Sequence, residues 1–170
     1  RTVKQLRPLA SVIGINISAR QLRHCRDSVP GCDFALMDAA NLALPSGTID
    51  CAVSVEAAFH FRTRAGFLRE AFRVLRPGGR LALSDILFRD TCWLGDLMVP
   101  RENTLATPDA YAGLLHQAGF RDVVLVDATA RCWTAFCRVR LDTISEQWSN
   151  GLIDRHAFAA QTSYFTNLME

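Results

Sequence analysis

The composition of the chain is that of an ordinary globular domain. It has 170 residues, of which 49% are hydrophobic and 21% are charged, and its formal net charge is +2. A chain of this length can bury a substantial core, and so small a net charge without a basic run argues against a nucleic-acid partner. No apolar stretch reaches the roughly 18–20 residues of a membrane span, and no signal peptide is recognisable, so we expect a cytoplasmic protein.

The six cysteines, at positions 25, 32, 51, 92, 132 and 137, include no CxxC pair. We expect reduced thiols, most of them in the core, rather than a disulfide framework. The His and Asp residues are not clustered as zinc or iron sites require, so no metal is expected.

Strands and helices alternate from the start of the chain. Residues 11–16 (SVIGIN) predict a strand, and Ser18 is a suitable N-cap for a helix over residues 19–27. Residues 32–36 predict the next strand, and a loop with a Pro-Ser-Gly turn follows it.

The central segment predicts a strand, a helix and a second strand. Residues 49–55 form an apolar run typical of a strand buried on both faces, and an apolar stripe over residues 67–75 indicates a helix. Pro77-Gly78-Gly79 should end this helix, and a strand should then run from Leu81 to Ser84-Asp85. Two strands joined by a helix in this way imply a parallel pair with a right-handed crossover.

The second half of the chain has one region without a clear period, residues 88–105. Thr107-Pro108-Asp109 then begins a helix that Gly119 ends, and residues 120–126 predict a strand. Two amphipathic helices follow, over residues 133–148 and 155–168. This alternation predicts the α/β class, with a doubly wound, mostly parallel sheet.

Polar side chains occur at or just beyond the carboxyl ends of the predicted strands, namely Asn16, Asp38, Glu56, His60 and Asp85. In open α/β sheets, ligands bind along that edge. Four of these residues also have a simpler interpretation. Asn16 is a turn former, Asp38 is a loop aspartate that bonds its own backbone, His60 caps a helix and Asp85 ends a strand.

Four consecutive segments, VIGINIS, DAANLALP, IDCAVSVEAAFHF and RVLRPGGRLALSDI, resemble the class I S-adenosylmethionine-dependent methyltransferases. The resemblance covers roughly residues 12–126 and is greatest to bacterial methyltransferases that act on natural products, sugars and lipids. It implies a Rossmann-like sheet, S-adenosyl-L-methionine as cofactor, S-adenosyl-L-homocysteine as product and a small-molecule acceptor.

The resemblance also implies which residues contact the cofactor. Asn16 stands where the family usually has Asp or Glu bound to the ribose hydroxyls. Ile17 would pack on one face of the adenine, and Gln21 matches a helix position near the adenosine. Asp38 and Ala39 match the adenine-contacting pair, the small side chain of Ala39 letting the ring lie close.

The resemblance places the reacting groups after the two central strands. Val55 and Glu56 would line the floor near the methionine part of the cofactor. His60 would act as a base that removes a proton from an acceptor hydroxyl as the methyl group arrives. Asp85 would orient His60 and stabilise the imidazolium, as a His–Asp pair does in related methyltransferases that act on sugar and phenolic hydroxyls.

Candidates for the acceptor pocket are large or charged side chains near these groups, namely Phe59, Phe61, Trp93, Met98 and Arg101. Side chains of these types are more often simply part of a core. We treat residues 1–170 as one partial domain, with a cofactor-side half (1–87), an acceptor-side cap (88–118) and a C-terminal part (119–170).

The family's glycine-rich loop, GxGxG after its first strand, is missing from this sequence. We expect the first strand to precede Arg1 and a last antiparallel strand to follow Glu170. Without them the chain should bind the cofactor poorly, so either the protein is longer or another chain completes the sheet; a homo-oligomer is one form this could take.

Two alternative functions remain open. A nicotinamide-linked oxidoreductase has a similar sheet but needs a catalytic pair such as Tyr-Lys, and only Tyr111, Tyr164 and the sole lysine, Lys4, are available. A non-catalytic relic of the fold is the other alternative, favoured by the missing glycine loop.

Overall fold

The computed structural model describes residues 3, 5, 7–88 and 99–169. The chain divides into two compact units, Arg1–Val123 and Val124–Glu170. The described strands and longer helices of the first unit, in chain order, are β1 (Ile13–Asn16), α1 (Ala19–Ser28), β2 (Asp33–Leu36), β3 (Ile49–Val55), α2 (Arg64–Val74), β4 (Leu75–Ser84) and α3 (Pro108–Ala118). Two short 3-10 turns, Ala58–His60 and Arg101–Asn103, precede α2 and α3.

The four strands form two parallel pairs. β1 pairs with β2, with Asn16 opposite Leu36 at their carboxyl ends. β3 pairs with β4, with Val55 opposite Ser84. The predicted parallel arrangement is confirmed for both pairs, which form separate sheets in the described part of the chain.

Helix α2 passes directly into β4, which begins at Leu75 and not at Leu81 as predicted. The pairing with β3 shifts between Ile49–Leu75 and Cys51–Arg80, so the Pro-Gly-Gly sequence is accommodated as an irregularity within the strand. Gly78 has φ +76°, a conformation that an L side chain rarely adopts. The Pro-Gly-Gly sequence therefore shapes the start of β4, although the helix itself already ends at Val74.

Local capping sets the helix ends where the sequence predicted. The hydroxyls of Ser18 and Thr107 accept hydrogen bonds from the backbone N–H of Gln21 (3.3 Å) and Ala110 (3.2 Å). Gly119 ends α3 in the left-handed conformation, with φ 108°. Each of these three residues interacts with backbone groups at most four positions away in the chain, which is why the helix ends could be predicted from the sequence.

The core lies around α2 and α3. Its buried members are Ala39, Ala58, Phe67, Leu68, Ala71, Tyr111 and Leu115. Ile15 from β1 and both Leu81 and Leu83 from β4 pack against them, half-buried. Both strand pairs therefore contribute to one core, even though they do not pair with each other in the described residues.

Helix α2 also holds the loop between β2 and β3. Glu70 Oε2 accepts hydrogen bonds from the backbone N–H of Leu42 and from Arg73 Nη2, both at 2.7 Å. Arg73 in turn donates to the carbonyl oxygens of Leu42 (2.8 Å) and Leu44 (2.9 Å). The hydrogen bond from Arg73 is the main cause that lowers the pKa of Glu70.

Two predictions about strands are wrong. The strand predicted over residues 120–126 is absent, although the structure describes all of these residues, and Val124 and Val126 are 81% and 68% exposed. A β-branched run forms a strand only when another strand pairs with it, and the described residues supply none here. β3 is not buried on both faces, because Val53 and Val55 are 58% and 69% exposed.

The cysteines are less buried than predicted. The five that the structure describes are free, with Cys51 and Cys132 exposed, Cys25 and Cys32 half-buried and Cys137 buried. Burial raises the pKa of the Cys137 thiol. Cys51 lies on the same face of β3 as Val53 and Val55, and all three residues are exposed.

The second unit is helical, as predicted. A π-helical turn (Ala130–Thr134) leads into α4 (Ala135–Ser149), and α5 (Arg155–Asn167) follows. Trp133 Nε1 donates to the carbonyl of Leu168 at 2.8 Å. In the described part of the chain, no helix combines the length and the apolar character needed to cross a membrane.

Replacing Glu70 with glutamine should lower the free energy of unfolding at pH 7 by about 1 kcal/mol, because the half-buried carboxylate accepts hydrogen bonds from a backbone amide and a guanidinium. The folded-state pKa of Glu70 lies below its ordinary value of 4.5. Its contribution is therefore present above pH 4.5 and is lost as the pH falls through the folded-state pKa. Urea unfolding of both proteins at pH 7 and pH 3 measures this.

Glu146→Gln is the matched control for Glu70→Gln, since Glu146 is exposed on α4. It should change stability little at either pH. A loss from Glu70→Gln that stayed the same at pH 3 would mean that the carboxylate charge does not hold the loop.

Candidate active site

The carboxyl end of β1 carries Asn16, whose side chain is bonded on both sides. Its Oδ1 accepts from the backbone N–H of Ser18 (2.8 Å), and its Nδ2 donates to Gln21 Oε1 (2.7 Å). Asn16 is therefore a turn former, and it also brings two predicted cofactor contacts together. Ile17, between Asn16 and the helix, is 76% exposed and offers an apolar surface beside these amides.

The loop after β2 carries Asp38. Its Oδ1 accepts from the backbone N–H of Ala40 at 2.8 Å, the simpler role considered for this residue. Because this bond uses Oδ1, Oδ2 is the oxygen with which Asp38 could accept from a ligand. The backbone N–H of Met37 donates to the carbonyl of Asn16 at 3.0 Å, which ties this loop to β1. Ala39 is buried, and its methyl group packs in the core.

The first turn of α2 lies against the loop after β2. A side chain at Gly66 would begin 3.3 Å from Ala40 Cβ and 2.7 Å from Thr63 Oγ1. Glycine therefore allows the loop and the helix to approach closely. Since α2 follows β3, this contact brings the carboxyl ends of both strand pairs to the N-terminus of one helix. Sequence reasoning missed Gly66, although a glycine at the start of an apolar helix was a visible signal.

The carboxyl end of β3 leads into Glu56, an exposed residue in the left-handed conformation, with φ 46°. Its backbone N–H donates to the carbonyl of Ser84 at 2.8 Å. This conformation costs a residue with a Cβ about 1 kcal/mol. Strain of this kind concentrates at functional sites. Val55, before it, is exposed as well.

His60 is exposed at the end of the 3-10 turn Ala58–His60. Its ring centroid lies 4.0 Å from that of Phe59, whose own side chain is buried and lies 5.5 Å from Phe88. The imidazole therefore rests on a packed aromatic side chain at the surface.

The side chain of Asp85, directly after β4, is only 3% exposed and uses both carboxylate oxygens. Oδ1 accepts from the backbone N–H of Phe59 at 3.1 Å. Oδ2 accepts from Arg64 Nε at 2.7 Å and from the Tyr111 hydroxyl at 2.8 Å. Burial, reinforced by the charge of Asp85, raises the pKa of the Tyr111 hydroxyl far above its usual range. Asp85 thus joins the turn that bears His60 to α2 and α3.

Arg64 is 1% exposed and has a partner for each part of its guanidinium. Besides the bond to Asp85, Nη1 donates to the carbonyl of Asn103 and Nη2 to that of Ile86. Its Cζ lies 5.5 Å from the centre of the Tyr111 ring. Sequence reasoning missed Arg64, Tyr111 and Asn103. The available signal was the position of Arg64, which lies four residues before Leu68 on the apolar stripe of α2.

The candidates for the acceptor pocket separate into three groups. Phe59 and Phe61 pack inward, and the Phe61 ring lies 4.9 Å from that of Phe67 in an edge-on contact. Arg101 is exposed at the start of the turn Arg101–Asn103. Trp93 and Met98 lie outside the described residues.

Parallel strands with polar groups at their carboxyl ends define a Rossmann-like α/β fold with an edge site. Comparisons with known proteins agree. The family model described as "Methyltransferase domain" matches residues 1–83. Methyltransferase GfsG of Streptomyces halstedii is 36% identical over 135 residues, which cover 71% of this chain and 48% of the relative.

Two further similarities extend the comparison. The 27-O-demethylrifamycin SV methyltransferase of Amycolatopsis mediterranei is 39% identical over 82 residues, covering 45% of this chain and 30% of that protein. Phosphoethanolamine N-methyltransferase 2 of Haemonchus contortus, solved with S-adenosylhomocysteine, has a TM-score of 0.69 over 98% of this chain and 47% of its own, at 14% identity. This last likeness concerns the fold alone.

The resemblance to the class I S-adenosylmethionine-dependent methyltransferases and the predicted fold class are both confirmed. The chain spans about half, or less, of the length of the curated relatives it matches. S-adenosylmethionine is the cofactor of this family. The groups at the edge suit it chemically, since the Asn16 and Gln21 amides can bond hydroxyls and the Asp38 carboxylate can accept from an amino group.

Replacing Arg64 with methionine should destabilise the protein by about 3–5 kcal/mol, because it leaves the buried Asp85 charge without its cation. The matched control is Arg69→Met, on an exposed position of the same helix, which should cost less than about 0.5 kcal/mol. Urea unfolding at pH 7 measures both. Similar small losses from the two variants would show that the Arg64–Asp85 pair does not stabilise the site.

Proposed function

We propose that the protein containing this chain transfers a methyl group from S-adenosylmethionine to a hydroxyl group of a small natural product or sugar. The name of one relative, the 27-O-demethylrifamycin SV methyltransferase, supports a small-molecule acceptor. The observation that supports the proposal is the exposed imidazole of His60 on the turn before α2, the helix whose first turn contacts the loop after β2 that bears Asp38.

The cofactor supplies an activated methyl group on a sulfonium, which is a good leaving group. This chain's part is therefore to bind the cofactor and to orient the acceptor. We assign the ribose hydroxyls to Asn16 and Gln21, the adenine to Ile17, Asp38 and Ala39, and the methionine part to Val55 and Glu56. The buried methyl group of Ala39 leaves its backbone as the part that can face the ring.

His60 acts as the base in this proposal. A neutral imidazole can take the proton of an acceptor hydroxyl as the methyl group is transferred. Asp85 contributes by orienting His60 indirectly. Its carboxylate accepts a hydrogen bond from the backbone N–H of Phe59, which precedes His60 and whose ring contacts the imidazole. Phe59, Phe61, Arg101, Trp93 and Met98 remain the proposed neighbours of the acceptor. We infer a cytoplasmic enzyme.

S-adenosylhomocysteine should bind the full-length protein with a Kd of about 1 µM, equivalent to about 8 kcal/mol, in isothermal titration calorimetry. NAD should not bind in the same experiment. Tight NAD binding without S-adenosylhomocysteine binding would favour an oxidoreductase. No binding of either compound would favour a non-catalytic relic of the fold.

Replacing His60 with glutamine should lower turnover by about 10²–10⁴-fold while leaving the Kd of S-adenosylhomocysteine nearly unchanged, because only the proton acceptor is removed. Turnover is measured as transfer from S-adenosyl-[methyl-³H]methionine to a panel of hydroxyl-bearing natural products and sugars, with amine analogues alongside. The control is His24→Gln, on the exposed side of α1. Full turnover by His60→Gln would remove His60 from the mechanism.

A further inference from the structure

We propose that Asn103 is a positioning residue for His60, an inference that rests on the proposed function. Asn103 is completely buried at the end of the turn Arg101–Asn103. Its Nδ2 donates to the carbonyl of Phe59 at 3.1 Å and to that of Phe61 at 2.6 Å. These are the carbonyls of the two residues that flank His60, so one amide group holds the backbone on both sides of the base.

The orientation of this amide follows from its partners. Asn103 Oδ1 accepts from the backbone N–H of Arg64 at 2.6 Å, one of the N-terminal amides of α2 that have no partner within the helix. The opposite orientation would set Oδ1 against two carbonyl oxygens and the NH₂ group against an N–H. Only the observed arrangement satisfies all three neighbours, so the side chain is both a helix cap and a clamp.

Asp85 completes the hold on the same turn. Its Oδ1 accepts from the backbone N–H of Phe59, whose carbonyl is bound by Asn103. The peptide groups around His60 are therefore fixed by side chains from two separate segments, the end of β4 and the turn before α3. Arg64 links those segments, since its guanidinium bonds both Asp85 and the Asn103 carbonyl.

This arrangement gives Asn103 a role in orienting the base without touching a substrate. No water is needed to satisfy the Asn103 side chain, because its oxygen and its nitrogen already have protein partners and it is 0% exposed. A misplacement of about 1 Å at a reacting group can lower a rate by about 10²-fold. Loss of the two carbonyl bonds should therefore affect the rate more than cofactor binding.

Asn103→Asp tests the hydrogen bonds to the Phe59 and Phe61 carbonyls separately from the hydrogen bond that caps α2 at the Arg64 N–H. The carboxylate keeps an oxygen for the backbone N–H of Arg64, but it replaces the NH₂ donor with an acceptor facing two carbonyls. The matched control is Thr63→Ala, which removes the hydroxyl that accepts from Gly66 N–H at 2.9 Å and so damages the same helix end without touching the Phe59 and Phe61 carbonyls. Asn150→Asp, at an exposed position, controls for the added charge.

The first readout is the ¹H–¹³C spectrum of protein labelled at the histidine rings, in which His60→Gln identifies the His60 signals. Asn103→Asp should shift or broaden the His60 signals and leave those of His24, His116 and His156 in place. Thr63→Ala should lower the melting temperature without moving the His60 signals. The second readout is turnover. Asn103→Asp should lower kcat by about 10- to 100-fold with the Kd of S-adenosylhomocysteine nearly unchanged.

Unchanged His60 signals and unchanged kcat in Asn103→Asp would overturn the inference. If that variant does not fold, Asn103→Ser, which lacks the added charge, gives the same two readouts. Failure of both variants to fold would make Asn103 a general determinant of folding and would also overturn it. Full turnover by His60→Gln would contradict the proposed function. The His60 ring signals would still show whether Asn103 positions His60, so the two failures can be told apart.

Discussion

The buried ion pair between Arg64 and Asp85 is the interaction on which the rest of the site depends. Two charges removed from water are tolerated only when nearly every donor and acceptor is satisfied. Here the guanidinium also bonds the carbonyls of Ile86 and Asn103, and the carboxylate also accepts from Tyr111 and Phe59. The pair therefore fixes the end of β4, the start of α2 and the turn that carries His60 relative to one another.

The N-terminus of α2 contacts the segments that follow both strand pairs. Gly66 lets the loop after β2 approach the helix, while Thr63 and Asn103 supply acceptors for amides of its first turn. Further along the same helix, Glu70 and Arg73 hold the loop that leads into β3. One helix thus positions groups from both strand pairs, although those pairs share no hydrogen bonds in the described residues.

The structural features that could be predicted from the sequence are those determined by residues close together in the chain. The caps at Ser18 and Thr107, the stop at Gly119 and the polar residues after each strand could all be identified from local chemistry. The contact between Arg64 and Asn103 could not be predicted, because it joins positions 39 residues apart and a buried polar network has no sequence period. The strand predicted over residues 120–126 failed for a related reason, since its apolar side chains favour a strand only beside a partner.

Glu56 has a consequence for how this protein could be altered. A residue with a Cβ holds a left-handed conformation there that glycine adopts freely. Exchange for glycine would relax the backbone and so favour the folded state, yet it would also delete a carboxylate from the edge. Under the proposed assignment of Glu56 to the cofactor, a change that raises thermal stability at this position would therefore lower cofactor affinity.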